Sequence, residues 1–199
     1  MKVAIILKAP DFSGEVDEQY VIYADAAYKF KDKIGDKKVL GVVGDFDSLG
    51  DKPNGERIIG LNVEKDYTDG ERAVRFAKEC GATEVVIYGA YGGKIEHILG
   101  NIALLKVAQN VGVVAQIRDE KSVMRLIREK AKFIVKKGSI VSLIPYGGEC
   151  SFINSKGLYY PLDNLTLTPA DTRGISNVAT EEEITLTIKN GESLIIIER

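Results

Sequence analysis

TDGERAVRFAKECGATEVVIYGAYGGK, residues 68–94, reads in order as a helix, a turn, a strand and a glycine-rich loop. Thr68 and Glu71 have capping-box spacing, and Gly81 stands where a helix closes on a left-handed residue, so the spacing predicts a helix from Asp69 to Cys80. The β-rich run Val85–Tyr88 then enters Gly89-Ala90-Tyr91-Gly92-Gly93-Lys94. A second helix is expected from about Ile95 to Ala108, with Ile98, Ile102, Leu105 and Leu99 as its apolar stripe. Helix, strand and helix in succession form the repeating unit of a parallel sheet covered by helices.

The alternation extends upstream and a little downstream, through Val3–Leu7, Tyr20–Tyr23, Val39–Val43, Ile58–Leu61 and Val113–Ile117. After about Asp119 the period changes to two. Val123–Ile127, Phe133–Val135, Ile140–Ile144, Leu158–Tyr160, Leu165–Thr168, Ile184–Ile188 and Leu194–Ile197 read as strands, and no helix is expected among them. Lys137-Gly138, Gly147-Gly148 and Asn190-Gly191 predict hairpins, the last with the dipeptide that type I′ turns prefer. The expected architecture is an N-terminal, mainly parallel α/β sheet domain, residues 1–119, then a C-terminal antiparallel β-sandwich, residues 120–199, joined near 118–122.

Composition limits the function. Of 199 residues, 45% are hydrophobic and 28% charged, which supports a globular core and excludes a disordered or fibrous chain. Lys and Arg total 27 against 29 Asp and Glu, a net charge of −2, so the cationic field on which nucleic-acid binding rests is missing. No stretch approaches the ~20 apolar residues of a membrane span, and Val3–Leu7 is shorter than the roughly 7–15 residues of a signal-peptide core. A cytoplasmic protein with no membrane partner is expected. Cys80 and Cys150 belong to no metal or disulfide pattern and read as passive thiols.

Three segments can carry chemistry. Val42-Val43-Gly44-Asp45-Phe46-Asp47-Ser48 is an apolar strand running into two carboxylates at i, i+2, which point to one side of an extended backbone. At the carboxyl end of a strand in an open α/β sheet, such a pair suits a divalent cation, or else an Asx turn. Lys65-Asp66-Tyr67-Thr68-Asp69 opens the capped helix. There Thr68 caps the helix and Asp69 complements its dipole, or else Asp66 or Asp69 joins Asp45 and Asp47 around metal and phosphate, with Lys65 offsetting phosphate charge. Gly89–Lys94 offers backbone N–H groups and a helix start to an anion, or makes a tight turn. It is not a Walker A loop, because Tyr88 stands where that motif needs glycine and Ile95 where it needs Ser or Thr. His97 reads as a nucleotide or phosphate contact before a general base. Tyr159-Tyr160 and Arg173-Gly174-Ile175-Ser176-Asn177 are either a ligand wall or sandwich core and turn.

The order of these segments resembles the thiamine pyrophosphokinase family over most of the chain. That family shows a GDFDS-type segment, a KDxTD segment opening a helix, GGRxDHxLxN, a GLxYPL-type strand and G-x-S-N. Here they stand as Gly44–Ser48, Lys65–Asp69, Gly92–Asn101, Gly157–Leu162 and Gly174–Asn177. The resemblance implies transfer of pyrophosphate from ATP to the thiamine hydroxyl, with Mg²⁺ required and AMP released. It implies that Asp45, Asp47 and Asp69 are catalytic and bind metal. Asp25, Lys65, Asp66, Thr68, Gly92, Gly93, Lys94 and His97 would meet ATP, and Tyr160, Ser176 and Asn177 would shape the thiamine pocket. It also implies a homodimer. The chain departs from the family pattern at three places: Lys94 for Arg, Glu96 for Asp, and Ala24-Asp25-Ala26-Ala27 for ADGG. A related transferase with another acceptor and a non-catalytic thiamine-binding protein are the alternatives.

Overall fold

The central strands of the N-terminal half, Lys2–Ile6, Tyr20–Ala24 and Glu84–Tyr88, are apolar at nearly every position because they are covered on both faces. The structure is a computed structural model and describes residues 1–8, 12, 15–44, 57–60 and 67–199. Its chain divides into two units, Met1–Asp119 and Glu120–Arg199.

In the first unit the described strands are β1 (Lys2–Ile6), β2 (Tyr20–Ala24), β3 (Lys38–Gly44), β4 (Ile58–Gly60), β5 (Glu84–Tyr88) and β6 (Val114–Arg118). They pair in the order β6-β5-β1-β2-β3-β4, every pairing parallel. A 3₁₀ helix at Asp25–Phe30 leads into α1 (Lys31–Ile34); α2 (Asp69–Glu79) joins β4 to β5, and α3 (Ile95–Asn110) joins β5 to β6.

One face of the sheet packs Ala4, Ile6, Val21, Tyr23, Val42 and Val86 against Phe12, Val16, Ala27 and Ile34. The opposite face receives Ala73, Val74, Phe76 and Ala77 of α2, which lies across β1, β2 and β3. Fully buried Ile5, Ile22 and Ile87 each contribute about 1.5–3 kcal/mol. A polar pair interrupts this core: the Tyr88 hydroxyl donates to buried Glu18 at 2.8 Å, with Lys2 Nζ 3.4 Å from the same carboxylate. Burial and that carboxylate push the Tyr88 phenol well above its ordinary pKa.

Helix α2 begins as its sequence predicts, the Thr68 hydroxyl accepting the Glu71 N–H at 3.2 Å, and closes at Cys80 before Gly81. Helix α3 runs two residues past its expected end. Its buried side is Leu104, Leu105 and Ala108, with Ile98 and Ile102 half-buried, whereas Leu99 faces solvent.

The second unit is a sandwich of two antiparallel sheets, the expected class. One sheet orders β12 (Asn177–Val178), β9 (Ile140–Pro145), β14 (Ser193–Glu198) and β7 (Ser122–Ile127). The other orders β11 (Thr166–Leu167), β10 (Cys150–Lys156), β13 (Glu183–Asn190) and β8 (Lys130–Ile134). Val141, Leu143 and Ile195 of the first meet Phe133, Phe152, Leu167, Ile184 and Leu186 of the second in one core. Cys150 lies in it, and burial pushes its thiol up to about 11. Cys80 is half-buried, and both cysteines are free.

Three local readings need correction. None of the predicted hairpins forms, since Lys137-Gly138, Gly147-Gly148 and Asn190-Gly191 each carry the chain from one sheet to the other. The reason is clearest at Asn190-Gly191: β13 is already paired with β10 on one side and β8 on the other, so the next strand has no edge beside it. Leu158–Tyr160 is not a strand but a single bridge, Leu158 to Ala179, ahead of Pro161. β10 escapes a period-two reading because register shifts at Ser151/Phe152 and Phe152/Asn154 break its alternation.

Candidate active site

In the first unit the strand order turns back at β1, with β2 on one side and β5 on the other. The carboxyl edge beside such a switch point is where open α/β sheets bind ligands. Leu7, just past β1, donates its N–H to the Tyr88 carbonyl at 2.9 Å, which holds the ends of β1 and β5 together there.

Asp25 is the first residue after β2. It is half-buried and takes a left-handed φ of 46°, a conformation an aspartate adopts at some cost. Its neighbour at the same edge is Gly44, the last residue of β3. A Cβ on Gly44 would lie 3.0 Å from Asp25 Cα and 3.2 Å from Asp25 Cβ, so the ends of β2 and β3 touch through a residue without a side chain. Asp45 and Asp47 follow Gly44 in the chain and lie outside the described residues, as do Lys65 and Asp66.

Helix α2 points its N-terminus to this edge. Asp69 sits half-buried in the first turn behind the Thr68 cap. Gly70 lets the turn approach closely, since a Cβ there would lie 2.9 Å from Leu104 of α3 and 3.5 Å from Leu7. Asp25 thus stands at a strand end and Asp69 in the positive first turn of a helix. Among the described residues there is no cluster of three or more His, Cys, Asp or Glu that could hold a metal ion.

The loop after β5 brings Gly92 and Gly93, at φ 91° and 81°, to Lys94, the residue before α3. No side chain caps α3. The Lys94 carbonyl accepts the N–H groups of His97 and Ile98 at 3.1 and 3.2 Å, leaving the N–H groups of Ile95 and Glu96 ahead of the helical ladder. Gly92, Gly93, Lys94 and His97 are all exposed, an arrangement open to a phosphate. Asn101, which sequence reasoning assigned no role, donates from Nδ2 to the Ala90 carbonyl at 2.9 Å and ties the loop to α3. Tyr91 stands in the same loop. Its ring is half-buried and its hydroxyl fully so, and burial with the Asp119 charge pushes the phenol well above its ordinary pKa.

In the second unit, Tyr159 and Tyr160 stand in solvent, 64% and 63% exposed, with ring centroids 4.9 Å apart and edge to face. Ser176 is exposed with φ 60°, its N–H bonded to the Ser142 hydroxyl at 3.0 Å. Asn177 is only 3% exposed, and its amide is bonded to the Tyr160 backbone. Arg173 is engaged by Asp171 at 2.8 Å. The three residues expected to shape an acceptor pocket thus lie along one strand end of this unit.

Comparison with known proteins places both units. Residues 16–115 match the family model described as thiamin pyrophosphokinase, catalytic domain, and residues 125–193 match thiamin pyrophosphokinase, vitamin B1 binding domain. The thiamine pyrophosphokinase of Bacillus subtilis is 27% identical over 161 residues, 77% of this chain and 75% of that protein. Thiamine pyrophosphokinase 1 of Oryza sativa subsp. japonica is 26% identical over 73% of this chain and 61% of its own length. The crystal structure of the Bacillus subtilis enzyme superposes with a TM-score of 0.87 at 23% identity, covering 100% of this chain and 99% of the other. Yeast thiamin pyrophosphokinase does so with a TM-score of 0.77 at 14% identity, over 99% and 85%.

Proposed function

The chain belongs to the thiamin pyrophosphokinase family, and from that premise we propose that it transfers the pyrophosphoryl group of ATP to the hydroxyl of thiamine, giving thiamine diphosphate and AMP. One observation carries the reading. The catalytic-domain match falls inside the unit with the parallel sheet, and the vitamin B1-binding match falls inside the sandwich unit.

In the proposed reaction the hydroxyethyl oxygen of thiamine attacks the β-phosphorus of ATP. The bond from that phosphorus to the oxygen bridging the α-phosphorus breaks, and AMP leaves with that oxygen. The hydroxyl proton passes to a carboxylate, Asp47 or Asp69, and on to water. Most of the barrier is lowered by positioning and charge neutralisation. Backbone N–H groups of Gly92 and Gly93, the open first turn of α3, Lys94 and His97 receive phosphate oxygens, with Asp25, Lys65, Asp66 and Thr68 alongside. Tyr160 offers its exposed face to the flat, cationic acceptor, next to Ser176.

The donor set suits Mg²⁺: Asp69 lies half-buried at the carboxyl edge, and β3 delivers the chain to that edge at Gly44, directly before Asp45 and Asp47. Asp45, Asp47 and Asp69 would hold the ion, which when bound neutralises the phosphate charge that three bare carboxylates would repel.

Incubation with Mg-ATP and thiamine, followed by chromatography, tests the proposal. Equal amounts of thiamine diphosphate and AMP are expected. Thiamine monophosphate with ADP would overturn the transfer of pyrophosphate, and absence of any thiamine-dependent product would overturn the acceptor.

A cytoplasmic homodimer completes the proposal. No described helix is long and apolar enough to cross a membrane, and Ile95 and Leu99, one turn apart on α3, are 73% and 63% exposed, apolar surface available to a second copy. Light scattering should return twice the mass of one chain, with the single-chain mass as the contrary result; cell fractionation should recover the protein with cytoplasmic markers and not with membranes.

A further inference from the structure

The segment from Leu158 to Tyr160 begins as an antiparallel pair and then loses its partner strand. Leu158 bridges Ala179, and the Tyr159 N–H donates to the Val178 carbonyl at 2.9 Å. At Tyr160 no backbone-to-backbone bond continues the pair among the described hydrogen bonds, and Pro161, which follows, has no N–H to give. The side chain of Asn177 fills the gap. Its Oδ1 accepts the Tyr160 N–H at 3.0 Å and the Val178 N–H at 2.8 Å, and its Nδ2 donates to the Tyr160 carbonyl at 2.7 Å.

A carboxamide carries the donor and acceptor of a peptide group, so Asn177 extends the ladder by one rung made of side chain. Both lone pairs of Oδ1 and one Nδ2 hydrogen are committed to backbone. Asn177 is itself fixed from behind, because β12 pairs with β9 through Asn177 and Val141, and the preceding residue, Ser176, is bonded to Ser142. The buried member of the pair is thus the amide, while the ring it holds is 63% exposed. Nothing else among the described hydrogen bonds holds the Tyr160 backbone.

We propose that Asn177 is a positioning residue for the acceptor: it makes no contact with thiamine and instead fixes the Tyr160 backbone so that the aromatic face stands ready for a flat cationic ring. This rests on thiamine being the acceptor. An aromatic face that must wander before it stacks pays an ordering cost at binding, and a pre-set one does not.

A double-mutant cycle tests it, with kcat and both KM values measured for wild type, N177D, N177S, Y160A and the two doubles. N177D keeps the acceptor but sets an oxygen against the Tyr160 carbonyl; N177S, the second variant in case N177D fails to fold, removes the donor without adding charge. Either is expected to raise the thiamine KM roughly tenfold and leave the ATP KM unchanged. Y160A should do about the same, and each double should be no worse than Y160A. Effects that multiply to roughly a hundredfold would make Asn177 a direct ligand and overturn the proposal. A lowered melting temperature with an unchanged thiamine KM would overturn it too, as a purely structural bond. Wild type without thiamine-dependent turnover would instead overturn the acceptor assignment beneath it.

Discussion

Asp69→Asn is expected to lower kcat about a thousandfold, the loss of roughly 4 kcal/mol of transition-state stabilisation, while the melting temperature stays close to wild type. The amide keeps the shape of the carboxylate and removes its charge, so the change is confined to electrostatics. Stability should hold because α2 does not depend on Asp69 to begin. Thr68 already caps the helix through the Glu71 N–H, and Glu71, paired with Arg75 at 2.8 Å, leaves a second acidic group in the first turn. If Asp69 only complemented the helix dipole, its removal would cost about 0.3–1 kcal/mol of stability and spare the rate. The measurements are kcat at saturating Mg²⁺ and a thermal melt on the same preparation. A folded variant with the wild-type rate would reduce Asp69 to a dipole partner, and Asp47→Asn run beside it should fall by a similar factor.

What could be read in the sequence was what is local or buried on both sides. β1, β2 and β5 are apolar runs because each is covered above and below, and α2 carries its own start and stop signals in Thr68, Glu71 and Gly81. The glycine loop and Asp69 could be placed for the same reason: the order strand, loop and helix is a property of adjacent residues. The choice of sheet in the sandwich could not. Asn190-Gly191 encodes a tight turn, but whether the next strand pairs beside β13 is decided by β8 and β10, which come from elsewhere in the chain. The two asparagines show the same limit within the candidate site. Asn101 reaches Ala90, 11 residues away, and Asn177 reaches Tyr160, 17 residues away, so each lies in a recognisable segment while its partner becomes known only once the backbone is folded.

Gly44→Ala is expected to lower kcat/KM about a hundredfold and to destabilise the first unit by about 1–3 kcal/mol. At φ 157° the residue holds a backbone angle that side-chain-bearing residues rarely adopt, and lack of space adds a second cost. The added methyl would come within 3.0 Å of Asp25 Cα, 3.2 Å of Asp25 Cβ and 3.3 Å of Asp25 N. Two of those atoms are backbone, and the backbone there is already held at a left-handed φ, so no rotamer change relieves the contact. The ends of β2 and β3 must separate. One end bears Asp25, and the other is the strand terminus from which the chain continues into Asp45 and Asp47. A displacement of a few tenths of an ångström at a sheet edge is a modest folding cost but a large one for groups that must meet a triphosphate in fixed geometry. Gly60→Ala is the control: it lies at the end of β4, the next strand, and among the described residues a Cβ there meets nothing within 4 Å, so activity and melting temperature should both stay at wild type. Activity lost at Gly44 in proportion to unfolded protein alone would show a stability defect and no more, whereas a fully folded Gly44→Ala with wild-type kcat/KM would mean that the contact between Asp25 and Gly44 does not set the site.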